Sequence, residues 1–516
     1  MIEVKHWMPY RVMDRDANYL YAIRHEGDTS SLYRLTSYDH EPTTPHKVWP
    51  GGWCRSIWCS PDYPGTMLAR IHQGIYKSVD GGVNWGNNAP SFDNGSAVFI
   101  LGAVGEPVLA NTGVLQEGVC WDGDNVYMCE YNVNTTRVDG GINDAVKVIR
   151  SSDRGTTWSL AAIWNTDGNH YVRHMHGIQK HGAYLYLLFG DYDYESGILR
   201  WDPSQPLASN QPLTAYADCW TGAQRYRTGG IVFPPGDFMY WTADSSGGGP
   251  TGTERGIWKG RKDMTGTPER VDNKMAEFSR HSGWTGCILA NGDMVFGEFL
   301  EVEAVGDPIY LYGTHDGGTT WERCGTWGAS AEGRGGSENF FTWKDGLTYF
   351  CKVAHSGKAS DNGTVVLQPK AYNAAEGSRI IHPVYWVARS GQDDDANFRG
   401  QLPTRPWRTL EHALTGNRVT YGARVLMSAG RYEAEPIAPQ WAANTKPPKS
   451  VASVLIEGAP SESTAIALSG GTTLADIVAP SPDMPRTLRN LRLIAGSVSE
   501  LQQSKSGVAV MARPVI

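Results

Sequence analysis

A chain of 516 residues is too long for one ordinary hydrophobic core, so two or more domains are expected. Sixty glycines, 19 tryptophans and 24 tyrosines with only 19% charged residues describe many short strands joined by tight turns. The net charge of −8 lacks the basic footprint of a nucleic-acid binder, and no apolar run reaches the about 18 residues needed to cross a membrane.

The N-terminal stretch Met1-Ile-Glu-Val-Lys-His-Trp has no signal-peptide pattern. The chain as written is therefore expected to be soluble, and either not exported by the general route or trimmed. Eight cysteines end at Cys351 and show no zinc-type spacing. Cys120 and Cys129 flank a hairpin turn and could face each other, but buried free thiols are the expectation.

Strand-like runs recur along the first 380 residues. They begin at Tyr19, Thr66, Asn125, Tyr184, Phe238, Asp293 and Leu347, and each is followed by a polar loop and another short strand. The period of ~45–70 residues suits four-stranded blades with loops of varying length. The count is seven units. Six is the alternative, because the first and last could combine to close one blade.

A second repeat is sharper. Ser78-Val-Asp80-Gly-Gly82-Val-Asn84-Trp85 returns as Ser151-Ser-Asp153-Arg-Gly155-Thr-Thr157-Trp158 and as Thr314-His-Asp316-Gly-Gly318-Thr-Thr320-Trp321. The aspartate can accept backbone N–H bonds across a turn, the hydroxyl adds a local bond, and glycine tolerates positive φ. The tryptophan packs as the next strand begins.

Near residue 380 the character changes. Pro406, Trp407, Leu410, Ala413 and Leu414 predict a short amphipathic helix over 406–415. Ala423–Glu433 reads as strand and turn, and strands are expected at Val451–Glu457, Ala465–Leu468 and Leu488–Leu493.

The three boxes resemble the Asp-box of the sialidase superfamily and other Asp-box β-propellers. The resemblance covers roughly residues 1–380. It implies an all-β fold, a seven-bladed propeller with six blades as the alternative, with the boxes on the rim away from the ligand face. Residues 381–516 resemble the entry of a pectate-lyase-like right-handed parallel β-helix, short or truncated, capped by the 406–415 helix. A propeller followed by a β-helix is similar in architecture to phage tailspikes and secreted polysaccharide-degrading enzymes. That likeness implies a polysaccharide or glycan partner, an extracellular or virion-associated location and, for a tailspike, a homotrimer. Neither nucleic acid nor membrane is an expected partner.

In a propeller the starts of inner strands and the ends of second strands converge on one mouth near the axis. The repeat places the first set near Arg55, Glu117, His176, Arg227, Trp284 and Asn339, and the second near His72, Glu130, Asp191, Asp244 and Glu298. His174 and His176 alternate, so on a strand they face the same way. They can act as a general-base pair oriented by a carboxylate. With Asp191 they can alternatively bind a divalent metal; no other cofactor is expected. Arg225 and Arg227 likewise share a strand face, with Tyr226 opposite, and paired guanidiniums suit a sugar carboxylate. Arg55, Arg173 and His281 are further substrate contacts, and Trp53, Trp58, Trp220, Trp241, Trp258 and Trp284 are candidate stacking platforms.

Three functions fit this mouth. A glycosidase of the sialidase-like superfamily needs a carboxylate pair, drawn from Glu117, Glu130, Asp191, Asp244, Glu298 and Glu338. Sialidases carry Phe/Tyr-Arg-Ile-Pro near the N-terminus; Tyr10-Arg11-Val12 lacks the proline. A polysaccharide lyase needs a histidine or tyrosine base beside arginine, and the mouth resembles that of the ulvan-lyase propellers in this respect. A non-catalytic adhesion module needs neither.

Overall fold

This computed structural model describes residues 2–369, apart from residues 87–98, 101–113, 132–145, 165–171, 246–253, 273–281, 301–308, 328–334 and 355–362 and gaps of one to four residues. Beyond them it describes seven strands, taken up below.

Antiparallel four-stranded sheets follow one another along the chain. Each of the first six blades is made of four consecutive strands, running from Arg11 to Trp49, Cys54 to Ile100, Val119 to Trp164, His174 to Thr221, Ile231 to Arg270 and Ser282 to Trp327. Blade 7 takes three strands from Gly335 to Pro369 and its fourth from the N-terminus, where Ile2–Met8 pairs antiparallel with Gly363–Pro369. The fold is thus a seven-bladed propeller. The seven strand-like runs read from the sequence are the second strands of the blades. The six-blade alternative is corrected, because the N-terminal strand that closes blade 7 precedes a complete blade 1.

The closure is tied by side chains as well. Buried Thr364 accepts the Val12 amide at 2.8 Å and donates to the Tyr10 carbonyl at 2.8 Å. The Trp343 indole donates to the Asp16 carbonyl at 3.0 Å. Tyr10, Val12 and Leu20 pack with Phe341, Tyr349 and Val366 in one apolar cluster between blades 1 and 7.

The three Asp-boxes join third to fourth strands in blades 2, 3 and 6. In the second box the Ser151 hydroxyl donates to Asp153 at 2.7 Å and accepts the Gly155 amide at 2.7 Å. Asp153 also accepts the amides of Thr156 and Thr157 at 3.0 and 2.8 Å. The other two boxes repeat this pattern around Asp80 and Asp316. Each box also fastens its blade to the one before. A Cβ on Gly82 would lie 2.8 Å from Leu32 of blade 1, one on Gly155 2.9 Å from Leu68 of blade 2, and one on Gly318 2.6 Å from the Tyr240 ring of blade 5. The Tyr240 hydroxyl donates to the Gly317 carbonyl at 2.9 Å.

All eight cysteines are free thiols, and seven are buried. Cys120 and Cys129 do not face each other, since Cys120 opposes Tyr127 and Cys129 opposes Val148. Beyond the propeller the described strands pair in parallel. Val384–Val387, Arg424–Met427, Val454–Gly458 and Arg486–Arg489 form one sheet, and Gly430–Ala434, Thr464–Leu468 and Arg492–Ile494 a second. From Arg424 onward the described strands alternate between the two sheets. The expected helix at 406–415 lies outside the described residues. Among the described residues no helix is long and apolar enough to cross a membrane.

Two outcomes follow for stability. Gly318 has φ +91° and no room for a Cβ against Tyr240, so Gly318→Ala is expected to cost about 2–4 kcal/mol, measured as a lower urea midpoint. Burial works against the charge on Asp153, but the amide and hydroxyl of Thr157 and the Ser151 hydroxyl outweigh it and hold the carboxyl down to about 2. Asp80 and Asp316 are lowered in the same way. A lowered folded-state pKa means stability that is present above the unfolded value of about 4 and lost as pH falls towards about 2. Acid titration followed by tryptophan fluorescence should show Asp153→Asn flattening that part of the unfolding curve.

Candidate functional site at the propeller mouth

The inner strands carry a recurring irregularity. In blades 1, 2, 4 and 7 the pairing of inner with second strand skips one residue, at Met13, Arg55, His176 and Glu338. In blade 6 Trp284 and Thr285 together oppose a single residue. An extra residue in one strand re-aims its side chain out of the ladder. Arg55, His176 and Trp284 lie at these irregular positions near the starts of their inner strands, whereas Met13 is buried in apolar packing.

Blade 3 supplies the 3-10 turn Gln116–Gly118 in place of a bulge. Gln116 donates to the carbonyls of Met13 at 3.1 Å and Ile57 at 2.7 Å, in blades 1 and 2. Glu117 accepts the Trp284 indole N–H of blade 6 at 3.0 Å. Asn339 of blade 7 donates to the Met13 carbonyl. This turn ties the blades together across the axis. Trp284 lies flat over Gly229, where a Cβ would stand 2.4 Å from the indole.

The densest group sits on blade 4. The Nε2 atoms of His174 and His176 are 3.0 Å apart, and both side chains are 1% exposed. At that distance one Nε2 donates its proton and the other accepts it, the tautomers setting which is which. Tyr131 stacks on His174 at 4.3 Å and lies 6.2 Å from His176, and His176 meets Trp284 at 4.9 Å. The four rings form a column from blade 3 through blade 4 to blade 6. His176 Nδ1 lies 4.0 Å from Asp244, too far for a hydrogen bond, whereas Arg227 grips Asp244 at 2.9 Å. Asp244 is 1% exposed, so this is a buried ion pair whose desolvation cost offsets much of its Coulombic gain. Gly190, at the end of the second strand, backs the group: a Cβ there would lie 2.7 Å from the His176 ring and 2.8 Å from the Arg227 side chain.

Several expectations need correcting. Gln224–Tyr226 is a 3-10 turn, not a strand. Arg225 and Arg227 therefore do not form a guanidinium pair on one face. Arg225 turns to Glu254 at 3.4 Å and lies over Trp258 at 5.3 Å, and Tyr226 is buried. Trp58, Trp220, Trp241 and Trp258 are all buried in blade packing. Trp58, whose indole donates to the Gln116 carbonyl at 2.7 Å, fastens the axial turn and is not an open platform. Glu298 is fully buried and accepts the Tyr312 hydroxyl at 2.8 Å. Glu130 is fully buried too, and its carbonyl accepts the Met175 amide at 3.0 Å. Arg55 is exposed on its bulge. Arg173, Asp191, His281, His72 and Trp53 lie outside the described residues. Among the described residues no group of three or more His, Cys, Asp or Glu could hold a metal; the expected third ligand, Asp191, is outside them.

Sequence reasoning missed Tyr131 and Gln116. Tyr131 directly follows a second strand, two positions beyond Cys129, and register alone could have found it. Gln116 gave no signal, because its role exists only across the axis.

No family model matches the chain, and no curated protein matches it. Solved structures do, at the level of the propeller. An ancestral GH74 enzyme is 11% identical with a TM-score of 0.38, over 70% of this chain and 47% of that one. The Penicillium chrysogenum α-L-arabinanase complexed with arabinobiose is 12% identical with a TM-score of 0.32, over 71% and 98%. YCF48 bound to D1 peptide is 10% identical with a TM-score of 0.38, over 72% and 97%. The chain spans less than half the length of the GH74 enzyme.

Gly190→Ala tests the packing of the site. It should cost about 1–3 kcal/mol and move the His176 imidazole, measured by urea unfolding and by imidazole 15N chemical shifts.

Proposed function

We propose that the protein acts on an acidic polysaccharide at the propeller mouth and cleaves it by β-elimination. The observation that carries this reading is the Nε2–Nε2 contact of His174 and His176 beneath Tyr131. One imidazole holds a proton and its neighbour a bare nitrogen, which is the equipment for taking a proton from carbon and returning one to a leaving group. In the proposed reaction His176 or His174 takes the proton from the carbon next to a uronate carboxylate. The electron pair left behind forms a carbon–carbon double bond as the adjacent glycosidic C–O bond breaks. The departing oxygen is protonated by the partner imidazole or by Tyr131. Guanidinium charge next to the uronate favours the anion that builds up, and Arg227, paired with Asp244, is the arginine packed beside His176 at Gly190. The two rings covering the pair, Tyr131 and Trp284, are only partly buried, and substrate entry requires them to move aside.

A glycosidase mechanism is the second reading, and Glu117 is the residue that favours it. Glu130, Asp244 and Glu298 are buried, while Glu117 is partly exposed beside Trp284. For residues 381–516 the parallel pairing in two alternating sheets supports a short parallel β-helix module.

Incubation with uronate-containing and sialylated polysaccharides separates the readings. An unsaturated product raises absorbance near 235 nm, with His176→Ala and His174→Ala each lowering the rate about 100-fold or more. New reducing ends without that absorbance, together with loss of activity in Glu117→Gln, would replace the lyase with the glycosidase.

A further inference from the structure

The loop that leaves the site through Gly190 carries two tyrosines with no part in the chemistry above. Tyr192 and Tyr194 are 52% and 55% exposed, the most open aromatic side chains among the described residues. Their rings are nearly parallel, 11° apart in plane with centroids 5.7 Å apart. Exposed rings on a slack loop would mean little, but this loop is braced. The Tyr192 amide donates to the carboxylate of Glu195, which is fully buried, at 2.9 Å. The Ser196 hydroxyl donates to the Tyr192 carbonyl at 2.8 Å, and Thr221 donates to the Ser196 carbonyl at 2.8 Å. A buried carboxylate thus helps fix the backbone that carries the two rings.

We infer that Tyr192 and Tyr194 form a sugar-stacking subsite for a stretch of the same polymer beyond the unit being cleaved. The inference rests on the proposed carbohydrate function. Tyrosine offers a rigid flat face to the C–H face of a pyranose ring and a hydroxyl to its rim, at little cost in side-chain entropy. Gly190, two residues before Tyr192, packs against His176 and Arg227. The platform therefore starts within about 7 Å of chain from Gly190, which itself packs against His176. Asp193 stands between the two tyrosines in sequence and is exposed, so the subsite takes the uncharged face of a sugar ring and not its carboxylate. A polymer spans both sites, whereas a short oligosaccharide reaches only the histidines.

The test uses the full chain, as wild type, as Tyr192→Ala/Tyr194→Ala and as Tyr192→Phe/Tyr194→Phe. Affinity electrophoresis in gels containing acidic polysaccharides reads binding, and cleavage of polymer against the shortest oligosaccharide cut reads the subsite. The double alanine variant is expected to bind polymer about tenfold more weakly, with KM raised in proportion on polymer, kcat unchanged and the oligosaccharide unaffected. The double phenylalanine variant keeps the platform and stays within about threefold of wild type. Polymer binding by the double alanine variant equal to wild type overturns the subsite and leaves the proposed function standing. A wild type that binds and cleaves no polysaccharide overturns the proposed function and the subsite with it. If wild type binds without cleaving, the electrophoresis alone decides the subsite by the same comparison.

Discussion

The structure depends on one pairing made at the greatest distance in sequence, that of Ile2–Met8 with Gly363–Pro369. Without it the outermost position of blade 7 is an open edge, and open edges are what sheet proteins must cover. With it the ring closes and every blade is held between two neighbours. Thr364 then secures the joint between the closing strand and blade 1 by serving Val12 and Tyr10 at once. Such closure sets a high loop-closure cost before any contact rewards it, so the early contacts must come from within blades.

The two faces of the ring divide the work. On the face of the third-to-fourth turns the Asp-boxes are rigid, self-satisfied and packed onto the preceding blade through glycines that leave no space. On the opposite face the inner strands bulge, and a bulge gives up ladder regularity to aim a side chain. Stability is concentrated in the first face, which leaves the second free to hold polar groups that no folding argument requires.

Those polar groups are expensive where they sit. Two imidazoles, an aspartate and an arginine are buried together, and such a network is tolerable only when its members satisfy one another. Its density where blades 4 and 5 meet is the physical reason for reading it as chemistry. The braced tyrosines at its edge point the same way, since exposed aromatic rings held still are of use to a partner and of none to the fold.

The blades were legible in the sequence because each is local: a strand, a turn and a strand within about thirty residues leave a period and a box. Inner-strand register was legible for the same reason, and it put His176, Trp284 and Arg55 near the starts of their strands. What lay across the axis was not. The Glu117–Trp284 bond joins residues 167 positions apart, and nothing in either segment announces the other. The arginine pair failed because a 3-10 turn replaced the strand that alternation assumed, and the tryptophan platforms failed because blade packing consumed them. By itself, then, the sequence determined the repeat, the turns and the second strand of each blade, since these follow from backbone chemistry over short spans. Only the tertiary structure decided that the ring closes at seven with a strand from the N-terminus, that His174 meets His176 under Tyr131, and which charges are spent on each other. Those outcomes depend on distances between segments that the chain brings together only when the ring is complete.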